Sequence, residues 1–593
     1  MNTMKNIIKL LILVPFLVAC DDLFSPANEH IQGVESMYKD PRYAQALLGN
    51  GYTYNPLNTT TWSFNDVATD DAVTNDKTNG YMKMATGQWA SNYNPMDRWT
   101  NCRSAIQYMN LFLANADMVH WSDSTGINTM CNDRMKGEAY GLRAMFMYFL
   151  LQAHGGWTAD GNLLGVPIVL EPEDNNSDFN QPRATFDDCV KQIYSDIDQA
   201  EQLLPLDYND ITSIAAIPEK YQDLDITQGD YNRVFGKGMQ QLMSGRIADA
   251  IRAQTALMAA SPAFAAGTTT TYADAANYAA TVLDLIGGVS GLDPTGFTWY
   301  ANTKDIDALT AGSNPAEVLW RTGFDNTNGT HTLEQSNYPP TLYGSGRVNP
   351  SQNLVDAFPM ANGYPITDAA NSGYDPQDPY SNRDPRLATY VVLNGSKAGS
   401  SSSTITTAAD GTTNDALGKV ETSTRTGYYM RKLLRQDVNA NPSSYSDHKH
   451  YRPMIRYTEI FLVYAEAANE AFGPTGTGSH SYSAYDVIKA IRQRAGIDNS
   501  DPYLESVKNN KDAMRKLIRN ERRLELCFEG FRFWDLRRWQ EPITDAAHGM
   551  HIENGTYTDI SVENRVYQDY MYYGPIPYGE LLKFNALVQN KGW

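Results

Sequence analysis

The chain has 593 residues, of which 68 are Asp or Glu and 48 are Lys or Arg, giving a formal net charge of −20 at pH 7. This charge disfavours nucleic acid and anionic membranes as ligands, because both would repel the chain. The length is sufficient for a large hydrophobic core or several subdomains. After the first twenty residues, no apolar stretch of the sequence approaches the length of a transmembrane helix.

The first twenty residues carry the pattern of an export signal. Lys5 and Lys9 supply a small positive charge, and the apolar run 7–18 is too short to span a bilayer. The run ends in LVAC, which matches the site at which bacterial lipoproteins are cleaved and lipidated. We therefore predict a signal peptide over 1–19 and a lipid anchor on Cys20; an ordinary signal peptide with a chance cysteine is the alternative.

Four further cysteines show no CxxC pairing, which disfavours a structural zinc site or a redox motif: Cys102, Cys131, Cys189 and Cys527. We expect buried thiols. A disulfide between Cys102 and Cys131 is the one pairing that merits a test.

After an N-terminal segment over 20–98, residues 99–290 are predicted to form a helical region. The clearest helix is 138–153, in which apolar residues follow the spacing of one helical face. Gly155 and Gly156 follow it and predict a left-handed stop. Other helices are predicted over 185–204, 246–260 and 272–286.

Between 291 and 450, Gly, Pro, Asn, Ser and Thr dominate, which predicts an irregular region with short strands such as 317–320. Within it, the Ser/Thr-rich stretch 400–426 is predicted to be a surface loop. Helices return in a C-terminal region over 451–593. They are predicted over 458–472, 485–495 and 512–527.

Eight blocks between Trp99 and Trp593 resemble the SusD/RagB family and occur in that family's order. They are GLRAMFMYFLLQAHGG, GVPIVL, PSQNLVDAFPMANGYPI, NRDPRL, RYTEIFLVYAEAANEA, IRQRAG, ERRLELCFEGFRFWDLRRW and PIPYGELLKFNALVQNKGW. Each block alone is a weak signal, whereas the whole set together with the lipid-attachment site is specific.

The resemblance implies a mainly α fold of tetratricopeptide-like helix pairs, packed with an irregular loop-rich region that carries short β-strands. It also implies an outer-membrane, cell-surface location and a SusC-like TonB-dependent transporter as partner. Asp21 and Asp22, directly after Cys20, are similar to the acidic signal that sends such lipoproteins to the outer face. The implied function is non-catalytic capture of an oligomeric nutrient. A glycan is the favoured cargo and a peptide is the alternative.

A surface glycosidase is the rival hypothesis from another class. Glu521 and Glu525 share one helical face, about 5–6 Å apart, close to the separation of a retaining glycosidase pair. However, they project side by side from an apolar stripe, and arginines are plentiful nearby. We therefore predict structural ion pairs, with partners among Arg143, Arg492, Arg494, Arg522 and Arg523.

The sequence predicts no cofactor and no metal site. We expect surface positions for His448, His450, His548 and His551. The acidic loop that contains Asp70, Asp71, Asn75, Asp76 and Asn79 is a candidate for Ca²⁺, but its spacing is not that of an EF-hand, and a solvated loop is favoured.

Cargo binding requires exposed aromatic rings with amide or carboxylate groups at their edges. Two loop regions offer this chemistry, 70–92 and 297–343, the second with the polar loop 325–337. The candidate ligand-binding residues are Asp71, Asn79, Tyr81, Trp89, Asn92, Trp299, Tyr300 and Tyr343. Packing of the same rings in the core is the alternative, and Trp320 is expected to be core.

Overall fold

The computed structural model describes residues 40–57, 62–322 and 329–593. The predicted signal peptide, Cys20, Asp21 and Asp22 lie outside the described residues, as does part of the polar loop 325–337. Throughout the described ranges, no helix has both the length and the apolar content that a membrane crossing requires.

The N-terminal half of the described chain consists mainly of α-helices. They are α1 (Pro41–Tyr54), α2 (Gly80–Lys83), α3 (Trp99–Asn115), α4 (Thr125–His154), α5 (Phe186–Leu203), α6 (Glu219–Gln222), α7 (Gln228–Phe235), α8 (Gly245–Ala260) and α9 (Tyr272–Asp284).

Shorter helices occupy the middle of the chain, and longer ones return near the C-terminus. They are α10 (Thr303–Ala308), α11 (Thr332–Asn337), α12 (Gln352–Ala357), α13 (Pro385–Tyr390), α14 (Tyr457–Phe472), α15 (Ala484–Arg494), α16 (Pro502–Val507), α17 (Lys511–Glu525), α18 (Arg532–Trp539) and α19 (Tyr578–Lys583).

The long helices pack in a continuous series, α1 on α3, then α4, α5, α8, α9, α14 and α17. Helix α4 is central, and its apolar face, including Leu142, Phe146 and Leu150, is buried as the periodicity predicted. The series joins the helical region to the C-terminal helices in one core. The predicted mainly α fold of helix pairs is confirmed.

The end of α4 differs from the prediction of a left-handed stop. Gly155 has φ −64° and ψ 140°, so the chain leaves the helix in an extended conformation. A Cβ at this position would lie 2.6 Å from the carbonyl oxygen of Leu151. Glycine is required here for close approach, and not for a positive φ.

The described strands are short and form two-stranded antiparallel sheets. They are β1 (Ala72–Thr74), β2 (Gly156–Trp157), β3 (Leu163–Leu164), β4 (Val318–Arg321), β5 (Val348–Pro350), β6 (Val391–Val392), β7 (Lys397–Ala398), β8 (Ser403–Thr404), β9 (Tyr429–Met430), β10 (Pro453–Arg456), β11 (Ala547–Glu553) and β12 (Thr556–Glu563). The pairs are β1–β5, β2–β3, β4–β10, β6–β9, β7–β8 and β11–β12.

The pair β4–β10 places Trp320 opposite Ile455 and joins the loop-rich region to the start of α14. Trp320 is 1% exposed and is core, as expected. The stretch 400–426 is not simply a solvated surface loop. Asp415, Thr424 and Thr426 within it are buried, and the Asp415 carboxylate accepts a hydrogen bond from the backbone N–H of Thr341. Polar side chains of this stretch therefore form hydrogen bonds inside the fold.

All four cysteines in the described part of the chain are free thiols, so Cys102 and Cys131 are not bonded to each other. Cys102, Cys189 and Cys527 are buried, as predicted, and Cys131 is partly buried.

Candidate functional site

A cavity of about 280 Å³ lies where the helical series meets the loop-rich region. One wall comes from α4 and α8, a second from the β4–β10 pair, and a third from α17, α18 and the turn between them. Ser63 and Asp97 line the cavity and are exposed, so it opens to the surface between them. Its volume is close to the lower end of the range for small-molecule sites, about 300–1,000 Å³.

Aromatic rings form much of the lining. Trp62, Tyr81, Phe531 and Trp534 all contribute to it, and each is only partly buried. Rings of this kind offer flat apolar faces to a ligand, and the indole N–H and phenol O–H groups supply polar edges. The cavity therefore combines stacking surfaces with hydrogen-bonding groups.

Two guanidinium groups lie against these rings. The guanidinium carbon of Arg98 is 4.6 Å from the ring centre of Phe149 and 5.3 Å from that of Trp534. The guanidinium carbon of Arg452 is 4.5 Å from the ring centre of Trp62. Burial lowers the pKa of Arg98, and burial together with the neighbouring charge of Arg98 lowers the pKa of Arg452 to about 10. Both groups remain cationic at neutral pH.

One carboxyl group in the lining titrates near neutrality. Glu459, on α14, is 2% exposed and accepts a hydrogen bond of 2.6 Å from the side-chain amide of Gln254 on α8. Burial raises the pKa of Glu459 to about 7. At neutral pH the cavity lining therefore carries less negative charge than its number of carboxyl groups indicates.

Of the residues predicted to bind cargo, Tyr81 lines the cavity. The prediction that Trp89, Trp299 and Tyr300 are exposed is wrong, because they are 5%, 5% and 4% exposed. Trp89 packs against Phe533, with ring centres 5.9 Å apart, in a cluster with the C-terminus. Trp299 and Tyr300 belong to the core of the loop-rich region.

Replacing Trp89 by Ala is accordingly expected to destabilise the fold. A buried Trp→Ala change costs about 3–5 kcal/mol, through lost contacts and the cavity that remains. Thermal unfolding of the variant should show a clearly lowered Tm. An unchanged Tm would show that the ring does not contribute to the core.

The other residues predicted to bind cargo do not lie with Tyr81 in the lining of the cavity. Asn79 accepts a hydrogen bond from the backbone N–H of Met82 and caps α2. Asn92 is exposed, and Tyr343 is 54% exposed at a backbone φ of +63°. Neither Asn92 nor Tyr343 lines the cavity, and a role for them in cargo binding stays a prediction.

Asp71 is fully buried, and its carboxylate lies 2.6 Å from the guanidinium of Arg523. Asp70 pairs with Arg523 and Arg532 at 2.9 Å each. The expectation of a solvated acidic loop is therefore wrong at these two positions. Arginines pair with these two carboxylates of the candidate Ca²⁺ loop. No group of three or more His, Cys, Asp or Glu that could hold a metal is present among the described residues.

Glu521 and Glu525 form ion pairs, as predicted. Both carboxylates contact Arg386, with N–O distances of 2.9 Å, and all three side chains are completely buried. Glu521 also pairs with Arg492 at 2.6 Å, and Glu525 pairs with Arg494 at 2.8 Å. Burial alone would raise the pKa of Glu525, but the surrounding cations outweigh it and lower this pKa to about 2.

Three of the proposed arginine partners bind elsewhere. Arg143 pairs with Asp196, Arg522 with Asp535, and Arg523 with the two aspartates of the acidic loop. The principal partner, Arg386, lies in the NRDPRL block, more than a hundred residues from the helix that carries the glutamates.

His450 does not lie at the surface as expected. It is 7% exposed, and its Nε2 lies 3.0 Å from Oε1 of Glu334. That contact outweighs the effect of burial and raises the pKa of His450. His448 and His551 are partly exposed, and His548 lies beside Asp559 near the surface.

Most of the cavity residues lie outside the two loop regions that were predicted to bind cargo. Trp62, Arg98, Arg452 and Trp534 are far apart in the sequence. Trp534 lies within ERRLELCFEGFRFWDLRRW, and Arg452 lies five residues before Tyr457, where α14 begins. The alternation of aromatic and basic residues in these segments is the signal that could have identified them.

The fold is a scaffold of helix pairs packed against a loop-rich region, with a cavity of ligand-binding size between them. Comparison with known families agrees with the family resemblance seen in the sequence. The model of the SusD family matches residues 316–593, and a model described as starch-binding, associating with outer membrane, matches residues 37–219. The chain belongs to the SusD/RagB family.

Curated relatives match over short segments. A SusD-like protein of Formosa agariphila is 31% identical over 111 residues, which is 19% of each chain. A second SusD-like protein of the same organism is 34% identical over 93 residues, 15% of this chain and 17% of the relative. The matched segments thus span about a fifth of the length of these relatives.

Solved structures match over nearly the whole chain. A SusD-like protein from Bacteroides fragilis is 21% identical, covers 96% of this chain and all of its own, and has a TM-score of 0.70. A SusD-like carbohydrate-binding protein from the same organism is 20% identical, covers 93% of this chain and 99% of its own, and has a TM-score of 0.65. A laminarin-binding SusD-like protein is 17% identical, covers 93% of this chain and 99% of its own, and has a TM-score of 0.57. These likenesses confirm the fold.

Proposed function

We propose that this chain is a non-catalytic, cell-surface lipoprotein that binds an oligomeric glycan in the cavity and delivers it to a SusC-type TonB-dependent transporter. The observation that carries the proposal is the surface-open cavity with Trp62, Tyr81 and Trp534 in its lining. Sugar rings present flat C–H faces that stack on such aromatic rings, and their hydroxyl groups bind the polar edges.

Family membership supports the remaining parts of this proposal. The family model that matches residues 37–219 describes starch binding and association with the outer membrane. Two of the similar structures bear names that state carbohydrate or laminarin binding. Anchoring through Cys20 and the transporter partner follow from the sequence resemblance and are part of the proposal.

The position of the acidic side chains supports a non-catalytic role. A retaining glycosidase needs two carboxyl groups on either side of the scissile bond, one of them free to act as nucleophile. Glu521 and Glu525 are instead fully buried and bound by Arg386, Arg492 and Arg494. They stabilise the scaffold and do not face the cavity.

Replacing Trp62 by Ala should weaken glycan binding about tenfold or more, because a central aromatic contact is removed, while lowering the Tm only slightly. Isothermal titration with a panel of plant, algal and storage oligosaccharides measures the affinity. The matched comparison is Tyr343→Asn, which removes an exposed ring outside the cavity and tolerates the positive φ at that position.

The two variants separate two locations for the site. Lost affinity in Trp62→Ala with unchanged affinity in Tyr343→Asn is the expected result. The reverse pattern would place the glycan on the exposed loop of Tyr343. Binding of oligopeptides alone, with no glycan bound, would contradict the proposed cargo.

A further inference from the structure

The lining of the cavity contains more basic than acidic side chains, although the whole chain has a net charge of −20. Six arginines contribute to its lining, against four acidic residues. The arginines are Arg98, Arg452, Arg456, Arg522, Arg537 and Arg538. Of the acidic residues, Glu529 pairs with Arg456, and Asp535 pairs with Arg522 and Arg538. The remaining two are Asp97, which lies beside His154, and Glu459. Two of the arginines, Arg456 and Arg538, are also paired with Glu317 and Glu466, which lie outside the lining.

Arg98 has no carboxylate partner within the described part of the chain. Its guanidinium donates a long hydrogen bond of 3.4 Å to the side-chain oxygen of Gln152. Otherwise its guanidinium lies between the rings of Phe149 and Trp534. A guanidinium held on aromatic faces, with its N–H groups largely unused, is positioned to bind an oxyanion in two-pronged geometry.

A second guanidinium of the lining, that of Arg452, lies against the ring of Trp62. Burial together with the charge of Arg98 lowers the pKa of Arg452, so the two cations repel each other. A bound anion near both groups would reduce this repulsion.

We propose that the cavity selects a sugar that carries an oxyanion, with a uronic acid carboxylate as the expected group. This inference rests on the proposed function and specifies the class of glycan. The aromatic faces stack the sugar ring, and the Arg98 guanidinium, with the positive charge of Arg452 beside it, binds the acidic group. The volume of about 280 Å³ accommodates one or two sugar units of the oligomer.

The test compares three disaccharides by isothermal titration with the purified protein: digalacturonate, its carboxyl-reduced neutral counterpart, and a sulfated galactose disaccharide. We expect digalacturonate to bind at least tenfold more tightly than the neutral counterpart, and its affinity to fall as salt is raised. Tighter binding of the sulfated sugar would support an anionic ligand but would identify its acidic group as a sulfate, not a carboxylate. Equal affinity for the charged and neutral sugars would overturn the inference.

Arg98→Gln keeps a polar side chain and removes its charge. It should weaken digalacturonate binding at least tenfold and weaken binding of the neutral disaccharide by a much smaller factor. The matched control is Arg103→Gln, on α3, which begins directly after Arg98. The Arg103 guanidinium lies 3.4 Å from Glu173 and outside the cavity. Unchanged digalacturonate affinity in Arg98→Gln would overturn the assignment. If Arg98→Gln does not fold, the affinities of the wild type for the three disaccharides decide whether the cavity selects an acidic sugar.

The outcomes separate this inference from the function on which it rests. Binding of neutral glycans that depends on Trp62 and is unaffected by Arg98→Gln would refute the acidic ligand and leave glycan capture intact. Binding of an acidic dipeptide, with none of the sugars bound, would refute both.

Discussion

Arg386→Ala is expected to lower the free energy of unfolding by about 3–5 kcal/mol, because it leaves buried carboxylates without their cation. Arg386 is completely buried and contacts Asp384, Glu521 and Glu525. These contacts join α13 to α17, and therefore the loop-rich region to the helical series. Urea unfolding followed by circular dichroism measures the change.

The control is Arg233→Ala, in which a mostly exposed guanidinium lies 3.4 Å from Asp230. Surface pairs of this kind contribute little, so its unfolding midpoint should match that of the wild type. Equal stability of the wild type and Arg386→Ala would refute the structural role of the network. A stable Glu521→Ala variant that had lost a glycan-hydrolysing activity would instead support the glycosidase hypothesis.

Stability should also fall as the pH rises from about 4 to about 7. Asp66 is fully buried, and its carboxyl group accepts a hydrogen bond of 3.1 Å from the backbone N–H of Phe528. Burial, reinforced by the charge of Asp71, raises the pKa of Asp66 to about 7. The folded chain therefore holds this proton where the unfolded chain releases it, which contributes on the order of 4 kcal/mol at pH 4 that is lost by pH 7.

Asp66→Asn removes this titration and should be more stable than the wild type at pH 8, while the two differ less at pH 5. Urea unfolding at both pH values measures the difference, with Asp223→Asn as an exposed control. Part of the remaining dependence is expected from Glu459 and Asp249, because burial raises the pKa of Glu459 to about 7 and burial with the neighbouring Glu201 raises that of Asp249 to about 8. Identical pH dependence of the wild type and Asp66→Asn would contradict this assignment.

At lower pH the dependence reverses. The pKa of Glu525 is lowered to about 2, so its ion pairs stabilise the fold above the ordinary pKa of a glutamate and are lost as the pH falls towards 2. The two effects together predict greatest stability in mildly acidic solution.

The helices could be predicted from the sequence because each buries a periodic apolar face. The face of α4 is one example, and the Thr185 cap of α5 is another, since its side chain accepts a hydrogen bond from the backbone N–H of Asp188. The pairing of Glu521 and Glu525 with arginines could be predicted for a similar reason. Carboxylates on an apolar stripe require cationic partners when that stripe is buried.

The cavity could not be predicted in this way, because its walls come from segments that are distant in the sequence. Trp89 illustrates the difficulty. Its polar neighbours suggested an exposed loop, whereas its ring packs against Trp593, with ring centres 4.9 Å apart, at the opposite end of the chain. Local composition does not reveal such contacts. For the same reason, Arg386 could not be identified from the sequence as the shared partner of Glu521 and Glu525.

The most direct test of the central claim is a crystal structure of the protein with a bound oligosaccharide that titration has shown to bind. We expect a sugar ring in the cavity, stacked on Trp62 or Trp534, with its polar groups within hydrogen-bond distance of Arg98. A sugar bound elsewhere, for example on the exposed ring of Tyr343, with the cavity lacking any sugar, would contradict the account.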